Sequence, residues 1–150
     1  MTATSHAIIG AVIAAKISNP ILAIPIAILS HIAADVFPHW DTGTNKNHKS
    51  SKRFFVETMI DVTIGFILSY IVLQFLSPST NLFYAFIVIL AAQAFDWGSA
   101  PFHFFNMHFP PFSNIYYFQK TFDNRLDKPW GIIGQVAIVI FIITLAKFLL

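Results

Sequence analysis

The chain has 150 residues, no Cys and a formal net charge of +2; it is 56% hydrophobic and 11% charged. Soluble domains carry roughly 25% charged residues, and a chain this short cannot bury so much apolar surface inside itself. The composition excludes an ordinary soluble globule, and the missing Cys excludes disulfides and thiolate metal sites.

The mean hydropathy of +0.67 and the 17 Phe residues point to lipid as the solvent. The basic residues are too few and too scattered for a nucleic-acid surface, so none is expected as a partner. They read instead as topology signals. No positively charged region precedes the first apolar stretch, so no cleavable signal peptide is expected.

Five apolar segments follow in chain order. The first, about 4–17, is rich in Ala and Ile and is broken by Ser18-Asn19-Pro20. The second, 21–37, ends at Pro38. The third, 54–76, stops at Ser77-Pro78-Ser79. The fourth runs from 82 to about 97, closed by Gly98 and Pro101. The fifth occupies 131–150. A membrane-spanning helix needs about 17–25 residues, which the third and fifth satisfy. The second and fourth are borderline. The first is short, and it either spans or pairs with the second as a shallow hairpin. The expected fold is an all-α polytopic transmembrane helix bundle. It has about five apolar helices and forms a single integral membrane domain over 1–150.

Two long connections complete the chain. The stretch 39–53 is polar and carries Lys46, Lys49, Lys52 and Arg53. The stretch 98–130 is rich in Phe and Tyr, as expected of a segment at the membrane interface. If all five segments cross, both connections lie on the side of the N-terminus. That side then holds seven of the nine Lys and Arg residues, and Lys16 and Lys147 lie opposite. The positive-inside rule places the N-terminus in the cytoplasm and the C-terminus outside an inner (plasma) membrane.

The ionisable residues within and beside the apolar segments gather on the same side. His6 opens the first segment. His31 and Asp35 lie in the last turns of the second, and His39 and Asp41 follow at its exit. Glu57 and Asp61 begin the third. Gln93 and Asp96 end the fourth, and His103 and His108 follow in the aromatic connection. His31 and Asp35 share one helix face at i and i+4, as do Glu57 and Asp61. Two carboxylates so close in a low dielectric require a proton or a cation between them. Glu57 is expected to point to the headgroups, and His48 is expected to be solvated. A divalent metal would satisfy many of these groups at once. Mixed imidazole and carboxylate donors suit Zn first, then Mn or Fe, better than Ca.

Thr4-Ser5-His6 followed by Gly10, then His31-x-x-x-Asp35 leading into Pro38-His39-Trp40-Asp41, resembles a family of small inner-membrane proteins described as membrane-bound metal-dependent hydrolases. The likeness covers mainly residues 4–41, with looser echoes at Asp61-x-x-x-Gly65 and Asp96. The family's Pro-Asp-x-Asp turn reads Pro38-His39-Trp40-Asp41 here, so His39 replaces one carboxylate. The family's His-Arg-Gly-x-Thr-His-Ser stretch has no counterpart beyond His103 and His108. The resemblance implies a helical membrane fold and divalent-metal hydrolysis.

Together these readings give a metal-ligand set of His6, His31, Asp35, Asp41, Asp96, His103 and His108, with Asp61 and His39 as catalytic groups. The expected activity is metal-dependent hydrolysis at the cytoplasmic bilayer face. Its substrate would be a lipid or lipid-linked phosphoester, because the site lies at headgroup depth. Membrane lipids are the expected partners. Two alternatives stay open: a non-catalytic metal-binding or cation-translocating protein, and a structural bundle held by polar contacts between helices.

Overall fold

The computed structural model describes residues 1–148. Within them the chain is all-helical: α1 (Ala3–Lys16), α2 (Pro20–Val36), α3 (Ser51–Leu76), α4 (Leu82–Ala92), α5 (Ala94–Phe104), α6 (Phe112–Gln119) and α7 (Trp130–Phe148). Polar residues start the first four. Thr2, Asn19, Ser50 and Asn81 each accept a hydrogen bond from a first-turn amide, which satisfies a donor the helix cannot.

The expected five spans are not all present. Two described helices, α3 and α7, are long and apolar enough to cross a membrane. The count rises to three if α4 and α5, bent by 59° at their junction, form one broken span. Only 17% of the most apolar stretch of α3 and 22% of that of α7 is buried. The outward surface carries Ile60, Ile67, Ile71, Phe75, Ile140 and Phe141, which lipid accommodates and water does not. At 14 and 17 residues, α1 and α2 are the shorter apolar helices. They pack on each other across the turn at 17–19.

The apolar character of α1 serves packing rather than lipid exposure. It lies at the centre, against α2, α3, α4 and α7. Its small residues allow this. Ala7, Ala11 and Ala14 meet Ala23, Ala27, Ala85, Val88 and Ala92 in the main core. Without a hydrophobic drive between helices in lipid, close backbone approach through small side chains supplies the attraction. Gly10 marks the tightest point. A Cβ there would lie 2.9 Å from both Ala92 Cβ and Ile89 Cα. Gly65 does the same for α3, where a Cβ would come within 3.0 Å of Thr4 Cα.

The fourth segment also differs from expectation. Gly98 and Pro101 do not close it. The helix breaks earlier, at Gln93, and resumes as α5 through both residues to Phe104. Gln93 sits at φ −103°, ψ 12°, outside the helical region. Its buried side chain donates to Ala3 O (2.9 Å) and accepts from Trp97 Nε1 (3.0 Å). These tertiary bonds hold the break where local propensity would have continued the helix. Pro101 lacks an N–H, but its carbonyl receives the amides of Phe105 and Met107 and ends α5 there. The aromatic connection is therefore largely helical: α5 and α6 pack together, with Phe102 stacked on Tyr116 at 4.0 Å.

Gly10→Ala should cost about 1–3 kcal/mol by overpacking, although Ala is the better helix former. Gly134→Ala, whose Cβ would meet only Pro38 O at 3.5 Å, should be neutral or stabilising. Thermal unfolding in mild detergent, followed by circular dichroism, reads the difference. Equal effects at the two positions would refute the close-approach account.

Candidate metal centre

The break at Gln93 creates the first element of the site. In an unbroken helix the Ala92 carbonyl would accept the amide four residues on. Here it accepts from His31 Nδ1 at 2.8 Å. A carbonyl only accepts, so Nδ1 carries the hydrogen and Nε2 is turned the other way. There it lies 3.3 Å from Asp35 Oδ2 and 3.7 Å from Asp96 Oδ1. Asp96 reaches this point because α5 restarts just before it, in a helix first turn that favours a carboxylate. Gln119, the last residue of α6, donates to Asp96 Oδ1 at 2.9 Å and lies 3.4 Å from His31 Nε2.

His6 comes from the first turns of α1. Its ring stacks on that of His31 with centroids 3.7 Å apart and planes 6° from parallel. It is 1% exposed, and neither ring nitrogen makes a hydrogen bond within the described residues. Its Nε2 lies 3.1 Å from Asp35 Oδ1. Nε2 thus has an ionic contact outside hydrogen-bond geometry and Nδ1 has no partner; an unpaired buried nitrogen is rare in a folded chain. Asp35 is likewise buried and also meets the Met1 amino group.

His39 repeats the pattern of His31. Its Nδ1 donates to Phe37 O at 2.7 Å. Its Nε2 faces Asp123 Oδ1 at 3.1 Å and Asp35 Oδ1 at 3.7 Å. The chain after α6 is pinned beside the exit of α2. Asn124 N donates to Asp35 O (3.0 Å), His39 N to Asn124 O (3.1 Å) and Leu126 N to His39 O (2.7 Å). Arg125 completes this latch, with contacts to Asp123 (2.7 Å) and Asp41 (3.3 Å). Burial opposes ionisation of Asp123. The His39 hydrogen bond and the Arg125 charge outweigh it and hold the carboxyl below its usual range.

Two groups of ligand atoms result, each with members within 4.8 Å of one another: His6, His31 and Asp96, and His39, Asp41 and Asp123. Either donor set can hold a metal ion, and Asp35 lies between them. In the second group Arg125 already supplies a cation to both carboxylates. In the first, the described residues provide no such guanidinium, and His6 is left without hydrogen bonds.

Other expected residues lie apart. Asp61 does not share a cation with Glu57. It accepts from Ala3 N (2.8 Å), Thr4 N (3.2 Å) and Thr4 Oγ1 (2.7 Å), fastening the start of α1 to α3. Glu57 pairs instead with Lys49 (2.7 Å) and Arg53 (2.8 Å). His103 is not brought to the cluster; its Nδ1 meets Lys46 Nζ at 3.1 Å. His108 is exposed and packs edge-on against Phe102. Asp123, Gln119 and Arg125 escaped sequence reading. They belong to a connection whose composition advertised aromatic anchoring, and the residues of the α2 end that they meet, His31, His39 and Asp41, lie more than eighty residues away.

Comparison with protein families, with curated proteins and with solved structures finds no match.

The latch has a definite pH dependence. The folded pKa of Asp123 lies below the unfolded value of about 3.9. Its stabilisation is therefore complete above that value and lost as pH falls through the folded pKa. In chelator-treated protein, Asp123→Asn should cost about 1.5–3 kcal/mol near neutrality, and the gap should close below about pH 4. Thermal melts of both proteins across pH check it. A gap that stays constant to acid pH would refute the ionic latch.

Proposed function

We propose that the chain is a metal-dependent membrane hydrolase that acts at the cytoplasmic bilayer face on a lipid or lipid-linked phosphoester. One observation carries the metal reading. The imidazole of His31 is locked through Nδ1 to a backbone carbonyl, so Nε2 points at two carboxylates. A lone pair facing carboxylate oxygens is repulsive unless a proton or a metal cation lies between them, and a metal ion is the partner that also takes up the second imidazole. Backbone carbonyls commonly fix metal-binding His in this way. The stacked, unsatisfied His6 adds a second nitrogen to the same place.

His6, His31 and Asp96 would hold the ion, with Asp35 beside both imidazoles. Zn suits this donor set best, followed by Mn or Fe. Such an ion supplies Lewis acidity and lowers the pKa of a water molecule. His39 is the residue placed to hold a proton. Its tautomer is set by Phe37 O, and an imidazolium formed there would be met by Asp123 and Asp35. Asp61 positions α1, and with it His6, through the bonds to Ala3 and Thr4.

The placement of the two basic connections on one side now rests on α4 and α5 forming one broken span. If α1 and α2 form a hairpin, the chain returns to the side from which it started. The two basic connections then still share that side, and it is the side of the cluster. Lipid headgroups lie at that depth, which supports a lipid phosphoester as substrate.

Elemental mass spectrometry on detergent-purified protein should find near-stoichiometric Zn, Mn or Fe. The metal should be lost in His31→Ala and Asp35→Asn while both variants remain monodisperse. His39→Gln should keep the metal and lose about 10²–10⁴-fold in phosphoester hydrolysis. No metal above background after repletion with each ion would sink the reading and leave helix-gluing contacts as the better account.

A further inference from the structure

A cavity of about 380 Å³ lies beside the ligand cluster, within the size range of small-ligand sites. One wall is α3, through Phe55, Met59 and Val62. The other is α5, through Trp97, Ala100 and Phe104. Phe55 and Trp97 are also exposed on the outer surface, so the cleft between the helices faces lipid. Asp96 of the first ligand group and Asp41 of the second both reach its lining.

The charges around the cavity do not balance locally. Its carboxylates all have internal partners: Asp96 with Gln119 and His31, Asp41 with Arg125, and Asp61 with the start of α1. Arg125 is held by Asp41 and Asp123. Lys46 differs. Its ammonium meets no carboxylate among the described residues. Its neighbours are His103 Nδ1 at 3.1 Å and the Phe54 ring, 4.9 Å from the centroid. Burial and, next to it, the charge of Arg125 push its pKa down. A half-buried cation beside another cation, at the rim of an apolar cleft, lacks an anion.

We infer that this cavity is a lipid site: the cleft between α3 and α5 takes a hydrocarbon chain, and Lys46 with His103 binds the anionic phosphate headgroup it carries. This deepens the hydrolase reading by naming how its substrate is held. The binding itself needs no metal. Lys46 supplies a charge-assisted hydrogen bond to a phosphate oxygen. Asp96 of the first ligand group lines the same cavity, so a phosphoester held at Lys46 would share that cavity with the metal ligands.

Radiolabelled hexadecyl phosphate is the probe, titrated into the full chain in detergent, both chelator-treated and Zn-loaded. Saturable binding of one probe per chain is expected in both forms. Hexadecanol and inorganic phosphate should each compete at least tenfold more weakly, since each offers half of the recognised chemistry. Lys46→Gln should weaken binding at least tenfold. Ala100→Trp, which fills the cleft, should abolish it. Both variants are checked for an unchanged melting temperature. No saturable binding in either form, hexadecanol or inorganic phosphate binding as tightly as the probe, or an unaltered affinity in Lys46→Gln would overturn the proposal. Selective binding by a chain that takes up no metal would sink the hydrolase reading and leave the lipid site standing. Stoichiometric metal without selective binding would do the reverse.

Discussion

The site depends on one interruption: the break between α4 and α5 at Gln93. A continuous helix would have consumed the Ala92 carbonyl and carried Asp96 onward along the α4 axis. The 59° bend frees that carbonyl for His31 and turns Asp96 toward it. Gln93 itself ties the bend to α1 through Ala3 and to α5 through Trp97. Irregular backbone at membrane depth is tolerated only where its polar groups are met internally, and here His31 meets the freed Ala92 carbonyl. The break and the cluster are one construction.

The second constraint is electrostatic. Asp35 is 1% exposed, between His6 at 1% and His31 and His39 at 0%. Removing one partner from such a buried charged set typically costs several kcal/mol, because the remaining charge stays uncompensated. The arrangement is held from many directions: α1 through Asp61, α2 through its own helix, the post-α6 chain through Asn124 and Arg125. Bracing from so many elements fixes the donor atoms relative to one another. That is the preorganisation an ion-binding site requires.

Much of this was legible in the sequence. The i, i+4 spacing of His31 and Asp35 and the common depth of His6, Asp35, His39 and Asp96 placed four chain segments in one neighbourhood. The structure brings those residues together. The spans were less legible. Apolar composition does not distinguish lipid-facing from helix-facing surface, and α1 is apolar because it is enclosed. Hydropathy alone read it as a candidate crossing. The end of the fourth segment was misread for a related reason. Gly98 and Pro101 are strong local signals, but the decisive bonds of Gln93 reach to residue 3 and cannot be seen locally. Asp123 and Arg125 were hidden in the same way. Nothing in their own neighbourhood sets them apart from interfacial charges, and only the strand-like pairing with 35–39 gives them a role.

The main core beneath the cluster is built from Ala7, Ala11, Ala14, Ala23, Ala27, Leu73, Ala85, Val88, Ile89 and Ala92. That packed aliphatic floor contains no ionisable group. Protons and cations hop between polar stations, and the floor offers them none. A packed aliphatic floor of this kind is a dielectric wall: it gives the buried charges of the cluster no polar neighbour on that side, so their compensation has to come from the cluster itself and from the cavity beside it.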